Sequence, residues 1–196
     1  MKRSLDEIYA ILGATGIQDL GGFPVRATMA AIANAESAGN PNAYVPHDPP
    51  TDPNAAPSSG AYQVNRRLWP EIFAATERVR FDSSLSDHQK LIRMTLLVRP
   101  ILEDAMSAAI VAARTLKARG VYVDVINTAL FVNAAWQTGA DNLASWSRTT
   151  RTGDPREIVN PRRAISVEVD IRKLAGHEVG ASSGLAYAFG VLALLG

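Results

Sequence analysis

The stretch AIANAESAGNPNAY, residues 31–44, decides the reading of this chain, because an alanine-rich helix stops inside it and leaves a carboxylate at the stop. Pro24 suits the first turn of that helix, and Val25, Met29 and Ile32 recur at helical spacing towards Glu36 before Gly39 and Pro41 end it. Glu36 is thereby placed near a helix carboxyl end, where its charge opposes the macrodipole. A residue kept at a small electrostatic cost is a candidate for chemistry.

Working outward, Ser4 and Glu7 have the spacing of a capping box, and Leu5, Ile8, Tyr9 and Leu12 fall on one face of a short first helix ending near Gly13. On the other side, residues 40–60 hold six prolines among Asn, Asp and Ser, which predicts a long proline-rich loop. Ser86 with Gln89 opens a further helix that Pro100 is expected to end or kink, and another helix is expected from Pro100 to about Ala118, closed by Gly120. From Val121 to Gln137, the positions Val125, Ile126, Ala129, Leu130, Val132, Asn133 and Trp136 predict a buried helix. RTTRTGDPRE reads as a basic turn, and a last amphipathic helix is expected between Pro155 and about Leu174. The fold class is mainly α, with one domain over residues 1–150 and a helical extension with an apolar tail over 151–196. That tail, SSGLAYAFGVLALLG, is shorter than the roughly 20 residues of a membrane-spanning helix and reads as a docked or interaction segment.

The chain of 196 residues is 47% hydrophobic, enough for a substantial core, and its net charge of +1 gives no support to broad electrostatic binding of nucleic acid. With no cysteine there is no disulfide framework or thiolate metal site, and His47, His88 and His177 form no ligand spacing. Neither metal nor cofactor is expected. The start, MKRSLDEIYAIL, puts Asp6 and Glu7 straight after a basic pair, unlike a secretory signal.

Three segments then share a pattern. AIANAESAGNPNAY carries Glu36 and Ser37 at a helix end with Asn40 and Pro41 after it; SSGAYQV carries Ser59, Gly60, Tyr62, Gln63 and Val64; NAAWQTG carries Trp136 and Gln137. In this order they resemble the Glu-Ser opening, the GLMQI element and the AAYNAG segment of the lytic transglycosylases and goose-type lysozymes. The resemblance runs from Ala31 to Gly139. It departs from the family in having Tyr62 for methionine and Gln137 for asparagine, and in a longer loop between Glu36 and Gln63. It implies a lysozyme-like helical domain that cuts peptidoglycan glycan strands between MurNAc and GlcNAc, with Glu36 as catalytic acid. Gln63 would line the glycan groove, and Trp136 would bring an aromatic ring beside the glutamate. The expected substrate-binding set is Ser37, Tyr44, Ser59, Tyr62, Gln63, Asn65, Trp136 and Gln137.

A glutamate suits this chemistry because the leaving glycosidic oxygen must receive a proton as an oxocarbenium-like transition state forms. Apolar neighbours would favour the protonated form. The resemblance further implies that Glu36 then acts as base on the sugar's 6-hydroxyl, giving a 1,6-anhydro product. A hydrolytic route would need a carboxylate to activate water, and Asp48 and Asp52 are the nearest in sequence, although both read more simply as turn formers. Taken singly, Gln63 reads as a satisfied core amide, Tyr62 as core and Trp136 as a helix anchor. Tyr44 and Asn65 serve a sugar groove or a turn equally well. Arg148, Arg151, Arg156, Arg162 and Arg163 form a basic stretch that reads as a solvated face or as a contact for anionic wall polymers. Without an export signal, the expectation is synthesis in the cytoplasm and delivery to the cell wall within a virion, with other virion or tail proteins as partners. The alternative is a structural virion or secretion-channel component that keeps the fold mainly for docking.

Overall fold

The computed structural model describes residues 2–18, 24–48, 53–123, 131–132, 134–136, 139–154, 159–160 and 165–166. It is mainly helical, as expected. Helix α1 spans Leu5–Leu12 and runs into a 3-10 turn at Gly13–Thr15. Its capping box is made: Ser4 Oγ accepts from the Glu7 amide at 3.2 Å, and Glu7 Oε2 accepts from the Ser4 amide at 2.7 Å. Ile8 and Leu12 are fully buried against α2, Val25–Ser37. Helix α2 is buried along most of its length, which its alanines permit by letting neighbouring elements approach closely.

Helix α4 spans Asp87–Ala118 and starts at the predicted Ser86–Gln89 capping box. The expected break at Pro100 does not occur. Leu91, Met94, Val98, Leu102, Met106 and Leu116 are all buried, so the apolar stripe runs through the proline in register. Each such side chain contributes roughly 1.5–3 kcal/mol on burial, so together they outweigh the ~3 kcal/mol cost of an interior proline. Pro100 itself lies on the exposed side.

The proline-rich stretch is more than a loop. β1, Tyr44–Val45, pairs antiparallel with β2, Ser58–Ser59, which pairs antiparallel with β3, Val64–Asn65. Val45 faces Ser58, so the next pair would set Pro46 against Pro57. Neither proline has an amide to donate, and the ladder ends there. Helix α3, Pro70–Phe81, follows with proline at its start, Glu71 in its first turn and Arg78 and Arg80 in its last, all favourable to the macrodipole. It has no counterpart among the sequence expectations, because Thr76 occupies one of its buried positions and weakens the apolar periodicity.

Helix α5, Ala140–Thr149, packs on α4. Arg119 holds its end, donating to the carbonyls of Ser147 at 2.7 Å and Thr150 at 2.6 Å. Two further expectations are corrected. Residues 121–123 are not helical, in keeping with the β-branched Val121 and Val123; helical residues appear at 131–132 and 134–136. Within the helix expected between Pro155 and Leu174, Val159–Asn160 pairs antiparallel with Ile165–Ser166 instead. Pro161 biases Asn160 towards extended backbone, which favours this pairing. The tail at 182–196 lies outside the described residues. Among the described residues, no helix is long and apolar enough to cross a membrane.

Candidate functional site

Glu36 and Ser37 form the last residues of α2, with Glu36 half-buried. The helix ends because Ala38 and Gly39 both turn left-handed, with φ of 52° and 64°. At Gly39 a side chain would also meet Ile8 at 2.7 Å, so glycine lets the chain turn directly over α1. Arg3 secures this exit. Its amide donates to Ala38 O at 3.0 Å, its Nη1 donates to Gly39 O at 2.6 Å, and its guanidinium lies 3.7 Å from Asp87 at the start of α4.

Ser37 joins the helix end to the sheet. Its hydroxyl donates to Ala61 O at 2.8 Å and accepts from the Asn40 amide at 3.0 Å. Ala61 belongs to the β2–β3 turn, residues 60–63, which also carries Gln63. Gly60 enters that turn at φ 76°, where an added Cβ would lie 2.6 Å from Thr76 and 2.9 Å from Met94, so the turn is pressed onto α3 and α4. Gln63 sits at φ 46° and donates through Nε2 to Gly60 O at 2.9 Å. The elements bearing Glu36, Ser37 and Gln63 are thus brought together by one hydroxyl.

Several expected groove residues turn inward. Tyr62 is 1% exposed, its hydroxyl 2.8 Å from Thr95 on α4, and burial pushes its phenol well above the usual range. It is a core residue, because a ligand could reach it only by opening the α4 packing. Ser59 is fully buried and donates to Glu77. Asn65 is likewise buried, donating to Ser58 Oγ at 3.2 Å and accepting from the Arg67 amide at 3.0 Å, as a residue that shapes the β3–α3 turn. Trp136 is buried and stacks on the half-buried Trp69, ring centroids 6.1 Å apart and planes 19° from parallel. Trp69 therefore covers a face of the ring that was expected to meet sugar. Tyr44 stays exposed, with the Arg80 guanidinium 4.9 Å from its ring centre. Asp48 accepts from Ser58 Oγ at 2.6 Å, and His47 lies exposed with Nδ1 3.4 Å from Ala55 O. Gln137 and Asp52 lie outside the described residues.

Glu77 is the carboxylate that sequence reasoning passes over. Arg80 grips it at both oxygens, Nε to Oε1 at 2.6 Å and Nη2 to Oε2 at 2.8 Å. This pairing holds the carboxyl below its usual range against the opposing effect of burial, helped by the Ser59 hydroxyl. The only sequence trace is the Glu77–Arg80 spacing on one helix face. A groove of about 450 Å³ between α3 and α4 is lined by residues that include Arg78, Val79, Arg93 and Leu96, and neither Glu36 nor Gln63 faces it. Compared with protein-family models, curated proteins and solved structures, the chain gives no match.

Proposed function

We propose that the chain cleaves peptidoglycan glycan strands through a lysozyme-like domain, with Glu36 as the general acid and Gln63 beside the scissile sugar. The observation that carries this reading is the Ser37 hydroxyl bonded to Ala61 O, which holds the end of the glutamate-bearing helix against the turn of a small antiparallel sheet. A proton donor must keep its place while the leaving oxygen moves, and a short helix terminus would fray without such a tie. Arg3 adds a second tie to the two carbonyls that follow the helix.

In the proposed reaction Glu36 protonates the glycosidic oxygen and then removes the proton from the sugar's own 6-hydroxyl, so that no second carboxylate is required. Asp48, the described aspartate closest in sequence, accepts from the Ser58 hydroxyl at 2.6 Å, in keeping with a structural role in the small sheet. The test is Glu36→Gln, which keeps the side-chain shape and cannot donate the proton. Turbidity of a cell-wall suspension should fall with the wild type and stay constant with the variant, while the two melt alike. Mass spectrometry of the digest should show muropeptides lighter by one water than hydrolysed ones. Wild-type clearing by Glu36→Gln would remove the assignment.

A further inference from the structure

Two exposed aromatic rings meet at one clamped guanidinium beside the small sheet. Tyr44 is 45% exposed and Phe81 71% exposed, whereas rings of this size are ordinarily covered. Arg80 lies over both, 4.9 Å from the centre of Tyr44 and 4.1 Å from that of Phe81. Its guanidinium is oriented by Glu77, which accepts from Nε and Nη2, while Lys90 Nζ donates to the Arg80 backbone carbonyl at 2.7 Å and holds the end of the helix. Glu77 is in turn anchored by the buried hydroxyl of Ser59, which pairs with Tyr44 across the ladder and so points to the same face of the sheet.

This arrangement differs from a loose surface contact. An Arg–aromatic contact at an exposed site is too weak to hold long side chains together, whereas the bidentate carboxylate fixes the fork geometry. Glu77 also cancels the charge of Arg80. Arg80 covers one face of each ring, and the exposed remainder of Tyr44 and Phe81, beside a charge-paired guanidinium, is suited to a flat and uncharged apolar face. This surface shares the small sheet with the proposed cleavage site. The Gly60 amide donates to Ala43 O at 2.8 Å, one residue before Tyr44, and Gly60 is followed by Ala61, the partner of Ser37.

The geometry points to Tyr44, Arg80 and Phe81 as a stacking platform for the pyranose faces of a glycan strand extending from the Glu36 site. The inference rests on the glycan-cleaving function proposed above. A platform outside the cleavage subsite serves long substrates and leaves the chemical step alone.

The experiment measures binding of chitohexaose, an N-acetylglucosamine hexamer, to the Glu36→Gln protein by titration calorimetry, with and without Tyr44→Ala plus Phe81→Ala. Each ring should be worth about 2- to 13-fold in affinity, the equivalent of the ~0.5–1.5 kcal/mol of an aromatic contact. Tyr44→Phe, which keeps the ring, should bind within about 2-fold of its parent. In otherwise wild-type protein the double variant should raise KM for wall fragments and leave kcat unchanged, with melting confirming that both proteins fold. Unchanged hexamer affinity and KM, in a protein that still cleaves walls, would overturn the platform alone. If wild-type protein releases no wall fragments and the Glu36→Gln protein binds no hexamer, the cleavage reading falls and the platform with it.

Discussion

Replacing Ser37 with alanine should loosen the end of α2 and, on the role proposed for Glu36, slow wall cleavage more than it weakens substrate binding. The hydroxyl makes two bonds of good geometry, to Ala61 O at 2.8 Å and from the Asn40 amide at 3.0 Å. They are unequal in what their loss leaves behind. The Asn40 amide also donates to Ser37 O at 3.2 Å and keeps that partner. Ala61 is fully buried, so its carbonyl would lose this donor with no water to replace it. A stranded buried acceptor costs about 1–3 kcal/mol and a bond with a fallback about 0.5–1 kcal/mol, so the sum is about 1.5–4 kcal/mol. For a chain of this size that lowers Tm by roughly 3–16 °C. Because Ser37 adjoins Glu36, the looser helix end should also lower kcat about 10-fold, with KM changing less than 2-fold, as expected for a positioning residue. Differential scanning calorimetry and initial rates on wall suspensions read both quantities. A Tm within a degree of wild type would show that the Ser37–Ala61 bond does not hold the helix end. A rise in KM at constant kcat would make Ser37 a substrate contact instead.

Pro100→Ala should stabilise the protein, by up to about 3 kcal/mol, since Pro100 is exposed within α4 and alanine restores the missing amide; a lower Tm would mean that α4 packing depends on the proline. Glu77→Gln tests the clamp through pH. A carboxyl held below its unfolded value contributes stability that is complete above that value and is lost as pH falls through the folded one. The stability difference between wild type and Glu77→Gln, taken from urea midpoints, should therefore be constant from pH 7 down to about 5 and shrink in more acid solution. A gap that stays constant at acid pH would mean that the carboxylate charge does not stabilise the fold.

Local signals were legible in the sequence wherever a few adjacent residues complete the interaction. Ser4 with Glu7 and Ser86 with Gln89 each close a capping box within one turn, and the starts of α1 and α4 follow. The end of α2 was equally visible, because Gly39 permits a backbone turn that α1 then makes sterically necessary. Glu36 was placed at that end by the same local logic. Which face of a residue meets water depends instead on elements distant in the chain. Tyr62 became core because α4 supplies Thr95, 33 positions away, and Trp136 lost an open face to Trp69. Glu77 acquired Ser59 from β2 only once the sheet lay on α3, whereas Arg80 stands three residues on in the same helix. Pro100 shows the same division, since its local penalty is readable from residue type alone, whereas the buried stripe that overrides it exists only after α4 packs. Hydrogen bonds and steric limits of neighbouring residues act within a turn or two of chain, so sequence determines them. Burial is a property of the assembled core, and the tertiary structure alone assigns it.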